Sequence, residues 1–164
     1  MLSQLGKYPE LNNILETADH SDTHSGQTED TLEAFTSRVI SYAPFWIIVL
    51  FKVRGVLVKL LGLQQPELKE IPNFSEDTLP IKPGTCAGFF EVFFYDKDQC
   101  WVSKIDDKHL SAYIAIYRDE QNKNKVHLTT IVKYHKWSGP VYFNIIRLFH
   151  HLVVYKMIKA GEKI

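Results

Sequence analysis

The stretch GPVYFNIIRLFHHLVVYKMIK, residues Gly139 to Lys159, decides the fold of this chain. Pro140 is well placed for the first turn of a helix, so the stretch predicts one long C-terminal helix. At 100° per residue most of its apolar side chains share one side. His150 lies in the middle of that side, and Arg147 lies at its edge. A helix of this kind requires a large apolar partner.

The segments before this helix have patterns typical of two further helices and of several strands. The predicted strands are Phe89 to Tyr95, Gln99 to Ile105, His109 to Arg118 and Val126 to His135, with a short strand around Leu68 to Phe74. The predicted helices are Thr28 to Ser41, capped by Thr28, and Phe45 to Leu61, closed by Gly62. Short polar turns between strands favour antiparallel hairpins. The order predicts an α+β fold in which a curved antiparallel sheet grips the last helix, with room for a cavity between them.

The N-terminal third gives weaker signals. In residues 1–18 we expect Pro9 to interrupt any early helix. Asp19 to Gly26 reads DHSDTHSG, and its His and Asp side chains are possible ligands for zinc and other divalent ions. Because the spacing is tight and the stretch is polar, we favour a solvated loop or an edge strand here and predict no metal site.

Composition limits the class of protein. With 164 residues and 45% hydrophobic content, the chain is expected to form a single domain over residues 1–164. Nineteen basic and nineteen acidic residues balance, which argues against a nucleic-acid surface. Cys86 and Cys100 have no metal-site spacing, so we expect two buried thiols. No signal peptide or spanning segment is evident, and we expect a cytoplasmic protein without membrane insertion.

Several side chains are candidates for binding a small molecule. Arg54 and His150, with Arg147, project from two helices toward the same interior, where they could hold the carboxylate or phosphate of an otherwise apolar ligand. The pocket wall would include Trp46, Phe90 and Tyr134. An apolar cavity with a few polar anchors is typical of such sites. No G-x-G-x-x-G fingerprint is present, and no cofactor is predicted.

Two other functions stay open. An enzyme or accessory domain would use Asp107 and His109, with the carboxylate orienting the imidazole for proton transfer, although residues at a strand start more often close a turn. Ser111 follows this pair, but nothing resembles a nucleophile elbow. A protein-interaction module would instead have a filled core and an exposed apolar patch. The sequence does not indicate an oligomeric state.

Three stretches carry a resemblance to a known family. They are APFWIIVLFKVRGVLVKLLGL at 43–63, DDKHLSAYIAIYRD at 106–119 and VHLTTIVKYHKWSGPVYFNIIRLFHHLVVYKMI at 126–158. Over most of residues 15–160 the chain resembles bacterial domain-of-unknown-function family 2867, whose members occur alone or behind a dehydrogenase-like nucleotide-binding domain. Positions shared with that family are Pro44, Trp46, Arg54, Asp107, His109 and His150. Ser111 departs from it, because an Asp is expected there.

The resemblance implies more than the residue patterns do. The family is similar to the START-like, SRPBCC or Bet v 1-like superfamily of helix-grip domains, whose cavities hold lipids, hormones and other apolar molecules. It therefore implies two helices inserted after the first strand and a ligand cavity beside the last helix. It brings no established catalytic residues.

Overall fold

The computed structural model describes residues 2–60, 73–88, 90–106 and 110–162, with residues 2, 51, 54, 56–60, 142 and 148 described through their backbone. These residues form a mixed α+β fold with one open sheet and a long C-terminal helix. The predicted cap at Gly62 and most of the predicted strand around Leu68 to Phe74 lie outside the described residues. Within them, no helix is both long and apolar enough to cross a membrane.

Six antiparallel strands form the sheet in the order β1-β6-β5-β4-β3-β2. The strands are β1 (His20–Gln27), β2 (Cys86–Ala87), β3 (Phe90–Asp96), β4 (Cys100–Asp106), β5 (Leu110–Arg118) and β6 (Lys125–Tyr134). The four strands predicted after residue 88 are confirmed; the first was indicated by a mostly continuous apolar run and the other three by alternation. β1 lies at one edge of the sheet, so the edge-strand expectation for Asp19 to Gly26 is also confirmed.

Five α-helices accompany the described part of the sheet. They are α1 (Leu2–Leu5), α2 (Pro9–Glu16), α3 (Leu32–Ser41), α4 (Phe45–Leu60) and α5 (Ser138–Gly161). Two helices follow β1, as expected. The prediction that Thr28 caps α3 is wrong: the Thr31 hydroxyl accepts the Ala34 N–H at 3.2 Å, so the helix begins at Leu32. The Thr28 hydroxyl instead accepts the Asp30 N–H at 3.2 Å in the preceding turn.

The first eighteen residues are more ordered than the sequence predicted. Pro9 does not interrupt a helix but begins α2, at a position where a missing N–H costs nothing. Leu5 and Leu11 are fully or almost fully buried against Val102 and Tyr117 of the sheet. α1 and α2 therefore cover one face of the sheet, a layer that weak local patterns did not reveal.

The other face of the sheet meets α3 and α5. Alternation along β4 divides the core, because Trp101 belongs to the cluster with α3 and α5, and its neighbours Cys100 and Val102 belong to the cluster with α1 and α2. α5 contacts α3, β1 and β6. The result is a three-layer arrangement with helices on both faces of the sheet.

Two glycines allow α5 to approach its neighbours closely. A Cβ at Gly26 on β1 would lie 2.7 Å from Cγ2 of Ile158 on α5. A Cβ at Gly161 would lie 2.7 Å from atoms of Phe35 and of Val39 on α3. Both approaches are too short for any side chain to fit without movement of the core. The C-terminal end of α5 is thus held against β1 and α3, which sets where its other residues lie.

The two cysteines differ from one another. Cys100 is fully buried, and its burial raises the pKa of the thiol to about 12, as expected of an inert core residue. The prediction that Cys86 is also buried is wrong. It lies on the short strand β2 at the sheet edge, where one side has no neighbouring strand to cover it.

Candidate functional site

A row of polar side chains extends from β1 toward α5. Side chains two residues apart on a strand point to the same face, which places His20, Asp22 and His24 together. Antiparallel pairing sets these residues opposite Val132, Thr130 and Leu128 of β6. The hydroxyl side chains between them on β1 point to the opposite face. There Oγ1 of Thr23 lies 2.8 Å from Oγ1 of Thr129. The edge strand therefore presents its ionisable groups to the helix.

α5 contributes the adjacent residues His150 and His151. Nε2 of His150 lies 3.2 Å from Oγ1 of Thr130, the β6 residue opposite Asp22. Burial, followed by the charge of His151, lowers the pKa of His150 to about 4. His150 is therefore a neutral imidazole at neutral pH.

His151 brings the helix into direct contact with the strand. Its Nδ1 lies 3.0 Å from Oδ2 of Asp22, and the same oxygen lies 2.7 Å from Nε2 of His24. The three atoms all lie within 4.8 Å of one another. The three side chains are between 25% and 35% exposed, although the exposed part does not include Oδ2 of Asp22 or Nε2 of His24.

The short Asp22–His24 contact is not an ordinary hydrogen bond. Within the described part of the chain, Oδ2 of Asp22 and Nε2 of His24 are inaccessible to solvent and make no hydrogen bond of acceptable geometry. Since 2.7 Å is short enough for one, the orientation of the two groups is what excludes it. Nε2 of His20 is likewise inaccessible and has no hydrogen-bond partner among the described residues. Buried polar atoms in such a state require an explanation.

An aromatic group adjoins the polar row at the His20 end. The Phe143 ring on α5 lies 4.8 Å from His20, 6.0 Å from His150 and 6.1 Å from Tyr134, measured between ring centroids. Arg147 is exposed one turn after Phe143. Burial and then the charge of Arg147 lower the pKa of His20. Burial raises the pKa of Tyr134, and the charge of Arg147 partly offsets this rise.

The remaining candidates from the sequence are more scattered. Phe90 packs against the core cluster of α3 and α5 from β3, three strands away from Tyr134 on β6, or about 14 Å at the usual strand spacing. Trp46 is half-buried on α4. Arg54 belongs to the α4 backbone, and its side chain is outside the description. Asp107 and His109 lie outside the described residues, so their catalytic role stays a prediction.

Another polar chain that sequence reasoning missed lies on the opposite face of the sheet. His127 is fully buried, donates from Nε2 to Asp119 at 2.9 Å, and places Nδ1 2.8 Å from the hydroxyl of Ser25. The hydrogen bond from His127, followed by the backbone N–H of Gln121, holds the pKa of Asp119 well below its usual range. The order Ser–His–Asp is that of a hydrolase triad, but the two ring nitrogens are exchanged relative to the serine proteases. The contacts join β1 to the turn after β5.

One cavity of about 360 Å³ also lies on that opposite face. Leu15 and Ala18 line it from α2 and the segment after it, and Ile131 lines it from β6. It is therefore separate from the polar row on β1, which faces α5.

Comparison with known proteins adds a family. A family model described as "Protein of unknown function (DUF2867)" matches residues 14–157. No curated protein matches the chain. The matched range includes β1, β6 and α5 as far as Met157, and thus every residue of the polar row.

Proposed function

Because the chain belongs to the DUF2867 family of proteins of unknown function, we propose its function from its own geometry: it binds a small apolar acid between β1, β6 and α5. One observation carries this proposal. Of the ligand-binding residues predicted from the sequence, Tyr134 and His150 have their rings 6.1 Å and 6.0 Å from that of Phe143, and the charge of Arg147 partly offsets the rise in the pKa of Tyr134. These residues come from β6 and α5, which follow one another in the chain and pack together in the fold.

The chemistry of these groups suits an acid with an apolar body. Arg147 offers a fork of N–H donors that pairs with a carboxylate or phosphate. The half-buried Tyr134 ring, which lies 6.1 Å from the buried Phe143 ring, supplies apolar surface. Nε2 of His20, which is buried, can accept or donate one further hydrogen bond to a ligand. A few polar anchors against aromatic walls are the usual composition of a small-molecule site.

The wider fold assignment is part of the same proposal. An α+β chain with an open antiparallel sheet and a C-terminal helix on one face is compatible with the START-like, helix-grip superfamily. In that case the sheet would curve around α5 and the ligand cavity would lie between them, with Arg54, Trp46 and Phe90 as further lining residues. Bacterial origin and a cytoplasmic location stay predictions.

Binding of acids by variants of Arg147 tests the proposal. Purified protein, freed of metal with EDTA, is screened against fatty and aromatic acids by thermal shift, and calorimetry then gives Kd for the hits. Since a hydrogen bond to a charged group contributes about 1.5–3 kcal/mol, Arg147→Met is expected to weaken binding at least about tenfold. His150→Leu is expected to weaken it as well, because it removes a polar anchor.

Lys156→Met is the matched control, because Lys156 is an exposed cation elsewhere on α5. It should bind the same acid as tightly as the unmodified chain. The alcohol corresponding to each acid should bind more weakly than the acid itself. Equal Kd values for the unmodified chain and Arg147→Met, or for acid and alcohol, would refute the proposal.

A protein-interaction module is the second candidate, and exposed side chains on α5 favour it. Val141, Ile145, Phe149 and Leu152 recur at helical spacing and are each between 44% and 52% exposed. Exposed apolar surface of this kind is typical of contacts between proteins. If a second copy of the chain covers it, sedimentation at rising concentration will show a dimer that Ile145→Glu dissociates. A monomer at every concentration would contradict self-association.

A further inference from the structure

We propose that Asp22, His24 and His151 form a binding site for one divalent transition-metal ion, with Zn²⁺ as the best match. Imidazole nitrogen and carboxylate oxygen are the ligands that zinc and related first-row ions prefer in proteins. Two imidazoles and one carboxylate are a recurring set in catalytic zinc sites and in non-haem iron sites. The proposal does not depend on the binding of an acid at Arg147.

The distances between the three atoms fit a single ion. Tetrahedral zinc holds its ligands at about 2.0–2.1 Å, so neighbouring ligand atoms are separated by roughly 3.3 Å. The observed separations from Oδ2 of Asp22 are 2.7 Å to His24 and 3.0 Å to His151. All three atoms lie within 4.8 Å of one another, so adjustment of the side-chain torsion angles could bring them to one ion.

The orientation of these atoms is the second, independent observation. Oδ2 of Asp22 and Nε2 of His24 are inaccessible to solvent, yet neither makes a hydrogen bond of acceptable geometry within the described chain. Burying such groups without a partner is costly. A shared cation would accept a lone pair from each atom and would not require a hydrogen bond between them. The ion would supply the missing partner for both atoms.

The scaffold holds the ligands on two rigid elements. Asp22 and His24 occupy alternate positions of β1, which pairs with β6 over its whole length. His151 comes from α5, which the close approach at Gly26 holds against β1. Ligands on strands and helices are positioned more precisely than ligands on loops.

The number of protein ligands gives the ion a further role. Structural zinc sites are usually closed by four protein ligands, whereas catalytic and ligand-binding sites keep an open position. Three protein ligands meet among the described residues, so a tetrahedral ion would keep one position for water or a ligand oxygen. An ion with a net positive charge at this place would also favour anionic ligands.

Metal titration of the full chain tests the site. Protein treated with EDTA is titrated with Zn²⁺ alone by calorimetry, and Co²⁺ is used as a spectroscopic probe of coordination. We expect one ion per chain and a rise in Tm on binding. The Co²⁺ form should show the intense visible absorption bands of tetrahedral coordination. His24→Gln, His151→Gln and Asp22→Asn should each weaken binding by at least about 100-fold, since changes to outer-shell groups alone already cost 10–100-fold.

His135→Asn is the matched control, because His135 is an exposed histidine away from the proposed site. Its Nε2 lies 2.7 Å from the hydroxyl of Ser111, which is on β5. The affinity of this variant for Zn²⁺ should equal that of the unmodified chain. Circular dichroism establishes that each variant is folded, and the Gln and Asn substitutions keep side-chain size close to the original. The proposal is overturned if the unmodified chain binds neither Zn²⁺ nor Co²⁺, or if His151→Gln binds Zn²⁺ as tightly as His135→Asn does.

Discussion

Replacing Trp101 with alanine will lower the free energy of unfolding by about 3–5 kcal/mol, the usual cost of truncating a large buried aromatic side chain. Trp101 is 1% exposed and lies where β4 packs against α3 and α5. Its Nε1 also donates to the carbonyl of Pro80 at 2.9 Å, so alanine leaves both a cavity and an unsatisfied acceptor. Urea unfolding followed by circular dichroism measures the change.

Two further variants separate the causes of that loss. Trp101→Phe keeps most of the apolar volume and removes the indole donor, so we expect a smaller loss of about 1–2 kcal/mol. Trp137→Ala removes an indole that is 84% exposed and should change stability by less than about 0.5 kcal/mol. A comparable loss in Trp137→Ala and Trp101→Ala would contradict the described core.

Replacing Arg118 with methionine will lower the free energy of unfolding by about 2–3 kcal/mol. Its side chain is 10% exposed and donates to Asp98 at 2.7 Å, to the Asp30 carbonyl at 2.6 Å and to the Lys123 carbonyl at 2.7 Å. Removing one partner of a buried pair typically costs about 3–5 kcal/mol. We expect less because the Asp98 side chain is 45% exposed, so water can solvate the carboxylate.

The same variant should alter the acid limb of stability. Burial by itself would raise the pKa of Asp98, but hydrogen bonds from Arg118 and the Leu32 N–H, together with the charge of Arg118, outweigh it and lower the pKa. A carboxylate with a lowered folded-state pKa stabilises the fold above its unfolded pKa, and this contribution is lost as pH falls through the folded value. The free energy of unfolding of the unmodified chain should therefore fall below about pH 4. In Arg118→Met it should fall less, because the pKa of Asp98 is then closer to its unfolded value.

Arg118→Lys is the informative control for both measurements. An ammonium keeps the charge beside Asp98 but cannot reproduce the fork that also reaches Asp30 and Lys123. Its stability at neutral pH should lie between those of the unmodified chain and Arg118→Met. A stability equal to that of the unmodified chain would mean that charge alone matters and that the carbonyl contacts contribute nothing.

Strands and the last helix were predictable because their signals are local. Alternation in β4, β5 and β6 and the long apolar pattern in α5 depend on residues close together in the chain, and the observed ends agree with those patterns to within a few residues. The same logic failed at α2. There the side chains of a short helix gain stability from the sheet face they cover, and isolated short helices have little intrinsic stability.

The candidate sites show the same division at the level of single residues. His20, Asp22 and His24 attracted attention in the sequence because they are closely spaced, and of the two alternatives for this stretch, a loop or an edge strand, the structure has the edge strand. No local pattern connected them to His151. Likewise, Arg147 and His150 could be assigned to one side of a helix, but the contact of His150 with Thr130 and the effect of the Arg147 charge on the pKa of Tyr134 depend on how α5 is rotated against β6.

The amino-acid sequence by itself determined the order of most elements, the faces of the strands and the identity of the ionisable residues on β1 and α5, because neighbouring residues specify periodicity. Tertiary structure alone decided which of these residues meet. Pairing of β1 with β6 and the glycine contact between Gly26 and α5 bring Asp22 and His24 to His151. Such contacts follow from sheet register and close packing over long separations in the chain, which no local pattern encodes.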